Sequence, residues 1–70
     1  MENYKKIFYF KNKFVLTMED DSNMSLKELE EYYYKRMKKG KTIIETSEED
    51  WTFIINLKDV QTINIKRIDN

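Results

Sequence analysis

Apolar residues recur with two spacings along this chain: every second position near both ends, and a helical spacing in the middle. The segment Tyr4–Phe10 is dense in aromatic and β-branched residues, and Phe14–Met18 repeats the alternation after a polar tripeptide. Both segments are predicted to be strands. A tight hairpin is expected between them, in which Asn12 tolerates a positive φ.

The first predicted strand is apolar on both faces. Phe8 and Phe10 lie on one side of it, and Ile7 and Tyr9 lie on the other. A strand of this kind is buried on both sides or covered by a partner. We expect Ile7, Tyr9 and Ile54 to leave the second face of the sheet partly apolar, which makes that face a candidate association surface.

The central part of the chain is predicted to form a helix over about residues 25–39. Ser25 and Glu28 match the capping-box pattern, and Gly40 stands where a left-handed residue commonly ends a helix. At about 100° per residue, one narrow apolar stripe results, formed by Leu26, Leu29, Tyr33 and Met37. This stripe is predicted to pack on a sheet.

Three more strands are predicted after the helix, at Lys41–Thr46, Trp51–Leu57 and Val60–Arg67, with turns at 47–50 and 58–59. The order along the chain is therefore β-β-α-β-β-β. Short connections favour antiparallel neighbours, and a single amphipathic helix must bury its stripe on the sheet. We predict a small α+β fold with the helix on one face of an antiparallel sheet, as a single domain.

Two acidic segments and one tryptophan have competing interpretations. Residues 19–23 and 47–50 could bind a divalent cation or could be solvated segments. Neither has the glycine turn and distal glutamate of a calcium loop, so both are predicted to be solvated. Trp51 begins the most regular strand and is expected to anchor the core. The alternative is a half-exposed tryptophan that dominates an interface, a role that this residue type often takes.

The composition excludes several chemistries. The chain has no cysteine and no histidine, so disulfides, a thiol nucleophile and a histidine base are all missing. Its serines, Ser22, Ser25 and Ser47, lie in caps or turns. A pair of carboxylates can perform acid–base chemistry, but so small a domain has little room for the pocket that this requires. We expect no enzyme activity and no catalytic, metal-binding or cofactor-binding residues.

The run YYYKRMKKGK at residues 32–41 is the most prominent local feature. Its cations stand at the C-terminal end of the predicted helix, where they complement the helix dipole, so a helix end with a solvated face is sufficient to explain them. A second interpretation is a partner-binding patch, since tyrosine and arginine are enriched at interfaces. Its candidate residues are Tyr32, Arg36 and Lys39 on one shoulder. Tyr34 on the other shoulder, and Ile7 and Tyr9 of the apolar sheet face, are further candidates for binding a partner.

Nucleic-acid binding is the alternative function. It would use the basic half of the helix, namely Lys35, Arg36, Lys38, Lys39 and Lys41. A nucleic-acid-binding domain usually has a clearly positive charge and a recognisable motif. This chain has a net charge of zero and none of the helix-turn-helix or RNA-recognition signatures.

The size of the chain favours association. A domain of this length buries only about 60% of its unfolded surface, and without disulfides or metal it is stabilised most readily by a partner. We therefore expect a non-enzymatic interaction protein that forms a homodimer and modulates a larger protein, as an inhibitor or accessory regulator, for example of the phage type. No segment resembles a signal peptide or a membrane span, which predicts a cytoplasmic protein without a membrane partner.

Overall fold

The computed structural model describes residues 1–47 and 49–68, so Glu48 of the predicted turn at 47–50 lies outside the described residues. Within them the element order is β-β-α-β-β-β, and the predicted α+β class is confirmed. The elements are β1 (Glu2–Phe10), β2 (Val15–Ser22), α1 (Leu26–Lys39), β3 (Thr42–Thr46), β4 (Thr52–Asn56), a 3-10 turn (Leu57–Asp59) and β5 (Val60–Ile68).

The strands divide into two antiparallel sheets. In the described residues β1 is the central strand of a three-stranded sheet of order β2-β1-β5, and β3 pairs with β4 in a separate hairpin. The 3-10 turn explains the division. It buries the side chain of Leu57, whose N–H donates to the Lys41 carbonyl at 2.9 Å, and so closes the hairpin before the chain enters β5.

The predicted hairpin between β1 and β2 is present. The N–H of Phe10 donates to the Phe14 carbonyl, and the N–H of Lys13 donates to the Phe10 carbonyl, both at 2.9 Å. The residue with positive φ is Lys13, at 73°, rather than Asn12. Asn12 instead accepts a hydrogen bond from the Phe14 N–H on its side-chain oxygen, at 3.1 Å. It therefore stabilises the turn through its side chain.

Strand β2 continues through the acidic segment, so the predicted solvated loop at residues 19–23 is wrong for most of its length. Lys5 of β1 lies opposite Glu19, and Tyr4 lies opposite Asp20. The physical reason is charge pairing across the strands, because the lysines of β1 offset the acidic residues that would otherwise break the ladder.

Helix α1 begins and ends at the predicted residues. The Ser25 hydroxyl accepts from the Glu28 N–H at 3.2 Å, and the Ser25 N–H donates to the Glu28 carboxylate at 3.0 Å. The Ser25 backbone N–H, followed by its hydroxyl, lowers the pKa of Glu28. Gly40 has a φ of 62°, which is the left-handed conformation expected of a helix stop.

The helix and the β3-β4 hairpin both contribute to one core with β1. The ring of Phe8 meets the ring of Tyr33 edge to face, with centroids 6.0 Å apart. The predicted helix stripe is confirmed, since Leu29 and Tyr33 are buried and the other two members are partly buried. The buried apolar residues are Tyr4, Phe8, Met18, Leu29, Tyr33, Ile43, Ile55, Leu57 and Val60.

Two predictions about apolar side chains are wrong. Ile54 does not share a face with Ile7 and Tyr9, because it belongs to the separate hairpin, where it pairs with Ile44 and is 75% exposed. Trp51 is not a core anchor, because it is 63% exposed. It precedes β4, next to the left-handed turn residue Asp50, and so lies beyond the end of the core.

Candidate functional site

The predicted partner-binding residues do not form one surface. Tyr32 and Arg36 lie on the helix, which packs against the face of β1 that carries Phe8. Ile7 and Tyr9 alternate to the opposite face of β1. Ile7 is half-buried there, and Tyr9 is about one-third exposed, at 36%. The helix residues and the strand residues are therefore separated by the thickness of the sheet.

The helix shoulder of Tyr32 and Arg36 is a self-contained stack. The Arg36 guanidinium carbon lies 3.6 Å from the centroid of the Tyr32 ring, and one guanidinium nitrogen donates to the Tyr32 carbonyl at 3.3 Å. The Tyr32 ring in turn meets Tyr33 edge to face at 5.1 Å. Lys39 is exposed one turn further on. Because the guanidinium is already stacked on an aromatic ring and hydrogen-bonded to a carbonyl, it is less available for contact with a partner.

The basic residues of the alternative nucleic-acid hypothesis lie at the exposed end of α1. Lys35 pairs with Glu31 at 3.3 Å in the favourable i,i+4 order. Lys38, Lys39 and Lys41 are at the surface, whereas Arg36 is half-buried in its stack. Nucleic-acid binding by these residues stays a prediction.

A buried ionic cluster was not predicted from the sequence. Lys6 is 3% exposed, in the middle of β1. Its ammonium lies 3.0 Å from a carboxylate oxygen of Asp20, 3.1 Å from the Tyr33 hydroxyl and 3.4 Å from a carboxylate oxygen of Glu45. The Tyr33 hydroxyl also donates to Glu45. One lysine thus connects β1 with β2, α1 and β3.

The cluster places two carboxylates around one cation in a region of low solvent access. Burial raises the pKa of Glu45, Lys6 lowers it in part, and the charge of Asp20 raises it again. The second oxygen of Asp20 is buried without a hydrogen-bonding partner among the described residues. Charges in such a setting stabilise the protein only as a complete set, which points to a structural role for this cluster.

The alternation of β1 contains the signal that could have revealed this cluster. Lys6 stands between Tyr4 and Phe8 at the same parity, so a strand that buries those two rings must bury the lysine. A buried lysine requires an acidic partner. The sequence offers many acids, and only the fold selects Asp20 and Glu45.

A groove of about 340 Å³ lies between β2 and the turn end of the β3-β4 hairpin. Trp51, Phe53 and Met18 supply its apolar lining, and Glu19 and Glu49 supply carboxylates. The turn that presents Trp51 is closed by a hydrogen bond from the Ser47 N–H to the Trp51 carbonyl, at 2.9 Å. We call this feature the Trp51 groove.

A second groove, of about 410 Å³, follows the edge of β5 beside the helix. Tyr34 and Met37 of α1 line one side, and Ile63, Asn64 and Ile65 of β5 line the other. Tyr34 is 64% exposed. We call this feature the α1–β5 groove.

No protein-family model, no curated protein and no solved structure matches this chain. Within residues 1–47 and 49–68, no helix is long and apolar enough to cross a membrane. The same residues contain no group of three or more acidic side chains arranged to hold a metal ion.

Proposed function

We propose that this protein is a non-enzymatic interaction module that binds a larger protein through the Trp51 groove and modulates that protein by occupying its surface. The exposure of Trp51 in a groove of mixed polar and apolar lining is the observation that carries the proposal. Burying a tryptophan on contact provides more binding energy than most side chains do, and tryptophan is among the residues most enriched at interface hot spots. An inhibitor or accessory regulator acts in this way.

The lining of the groove favours a basic partner segment. Glu19 and Glu49 contribute two carboxylates to the groove that Trp51 lines, and Lys5 contributes one cation. Lys5 lies opposite Glu19 across the strand pair and offsets part of its charge, which leaves Glu49 as the more available acid. An arginine or lysine of the partner can stack on the indole and pair with a carboxylate at the same time.

Strand β2 supplies a second element of recognition. It is an edge of the three-stranded sheet, and among the described residues it pairs only with β1. An extended segment can add to such an edge through main-chain hydrogen bonds, with its alternate side chains in the adjacent groove. The proposed ligand is therefore an extended segment of a partner protein with at least one basic residue directed at Trp51.

A library of random dodecapeptides displayed on phage tests this proposal before any partner has been identified. We expect selection on the wild-type protein to enrich peptides rich in arginine or lysine. Their affinity should fall roughly 30-fold in Trp51→Ala, as for a hot-spot residue worth about 2 kcal/mol. Ile54→Ala is the matched control, because it removes an exposed apolar side chain of β4 that does not line the groove. Peptides that bind both variants equally would refute the proposal.

A further inference from the structure

We infer that two copies of this chain pair through their β5 strands, antiparallel about Asn64, to form one continuous six-stranded sheet. The Trp51 groove lies at β2, the opposite edge of the sheet, so this dimer is independent of the proposed function. The inference rests on the length of the β5 edge, the charges along it and the groove beside it.

The open edge of β5 is long. The strand spans Val60–Ile68, and in the described part of the chain it pairs only with β1. Its one irregularity is a register shift near the start, between the partners of Tyr9 and Phe10. Exposed edges of this length pair with another strand unless charge, proline or a bulge prevents it. The chain has no proline, and the bulge leaves the rest of the edge regular.

Symmetry restricts how two β5 edges can meet. A two-fold axis between antiparallel strands passes through one residue pair, because facing residues must point to the same side of the sheet. Asn64 is the middle of the nine-residue strand, and a centre there pairs residues 62–66, which all lie beyond the register shift near the start of the strand. In this register Ile63 lies opposite Ile65 of the second copy, and Lys66 lies opposite Thr62. Apolar residues meet, and no like charges do.

Self-pairing of β2, the strand at the other edge of the sheet, is less favourable. Self-pairing of β2 about Glu19 would place the two Glu19 side chains directly opposite each other. Self-pairing about Met18 would instead place Asp20 opposite Leu16. Like charges opposite one another are destabilising, and a carboxylate beside a leucine loses solvation without gaining a partner. A dimer therefore favours β5 over β2.

The α1–β5 groove supports the same choice. Its lining includes Ile63 and Ile65 from one face of β5 and Asn64 from the other, so the groove extends around the open edge. A second β5 strand would cover this edge and bring the exposed Tyr34 close to the two-fold axis. Edge hydrogen bonds and apolar burial would then act together in one interface.

The test is sedimentation equilibrium of the wild type and two lysine variants. Asn64→Lys places two cations opposite each other on the proposed axis. Thr17→Lys is the matched control, because Asn64 and Thr17 are both exposed and both flank Ile7, on opposite sides of β1. We expect a wild-type dimer whose dissociation constant rises about fivefold or more in Asn64→Lys and is unchanged in Thr17→Lys.

Variants of opposite charge at Asn64 distinguish loss of a specific contact between two copies from loss of folding. Asn64→Glu alone should also weaken the dimer, and mixing it with Asn64→Lys should yield a heterodimer that native mass spectrometry resolves. Circular dichroism establishes that each variant is folded. A wild-type monomer at millimolar concentration would overturn the inference, as would equal dimerisation of Asn64→Lys and Thr17→Lys, or a mixture without heterodimer.

Discussion

Replacement of Lys6 by methionine is expected to remove a large part of the stability of this domain. The substitution keeps an unbranched side chain as far as the ε position and deletes the ammonium that Asp20, Tyr33 and Glu45 share. Breaking a buried ion pair by removal of one partner costs roughly 3–5 kcal/mol. A chain of seventy residues has a total unfolding free energy of roughly 4–10 kcal/mol. Lys6→Met should therefore lose roughly half of its unfolding free energy, and it should unfold at room temperature only if the wild type lies near the lower end of that range.

Urea denaturation followed by far-ultraviolet circular dichroism measures this effect. Fluorescence is a poor reporter, because Trp51 is already exposed in the folded state. Lys5→Met is the matched control, since Lys5 is adjacent but lies on the outer face of β1, opposite Glu19. Its substitution should cost no more than about 1 kcal/mol, as for an ordinary surface pair.

Neutralising the whole cluster gives the decisive comparison. In the triple variant Lys6→Met, Asp20→Asn, Glu45→Gln, no charge is left buried without a partner, and the amide that replaces the Glu45 carboxylate keeps an acceptor for the Tyr33 hydroxyl. We expect the triple variant to be more stable than Lys6→Met alone, because an uncharged set avoids the desolvation of two carboxylates. Equal losses in Lys6→Met and Lys5→Met, or no recovery in the triple variant, would refute a cluster that stabilises the fold as a unit.

Three further predictions concern single residues. Burial raises the pKa of Glu45, so the stability that this group contributes is complete below the ordinary glutamate pKa and is lost as pH rises through the folded-state pKa. From about pH 4 to about pH 7, the urea midpoint of Glu45→Gln should therefore rise relative to that of the wild type. Parallel pH profiles of the two proteins would contradict this. Gly40→Ala should lower stability by about 1–2 kcal/mol, because φ is 62° and the added Cβ would lie 2.8 Å from Cγ of Lys58; an unchanged melting temperature would count against it. Ser25→Ala removes the hydroxyl that caps α1 and should cost about 1 kcal/mol, measured as a lower urea midpoint, whereas Ser25→Asp should retain the cap.

The parts of the fold that could be predicted are those determined by neighbouring residues. Both ends of α1 depend on contacts within a few positions, between Ser25 and Glu28 at one end and at Gly40 at the other. The alternation in β1 and β4 likewise reports which side chains share a face. These signals require no information about the rest of the molecule, and the helix and the element order followed from them.

The division into two sheets could not be predicted, because it depends on a long-range choice. Short connections suggested that each strand would pair with the next, yet β5 leaves β4 and pairs with β1 at the other end of the chain. The 3-10 turn that redirects the chain is stabilised by a contact between Leu57 and Lys41. Its sequence, Leu57–Asp59, resembles an ordinary strand end.

The candidate sites show the same limit. The partners of Lys6 stand 14, 27 and 39 positions away, so no local pattern could identify them. The strand alternation placed Trp51 on the same side as Phe53, but the core ends before it and the side chain is left exposed in the groove. The composition of residues 32–41 suggested a contact patch, but it contains no sign that Arg36 is already stacked on Tyr32.

A fluorescence titration of Trp51 tests the central claim of partner binding most directly. It is the only tryptophan of the chain, and because it is exposed we expect the free protein to have a red-shifted emission. Titration with the tightest peptide from the display selection should move this emission to shorter wavelength, because the indole becomes buried between the peptide and the groove. Ile54→Ala should show the same shift. Binding detected by calorimetry with an unchanged emission maximum would contradict the proposed function.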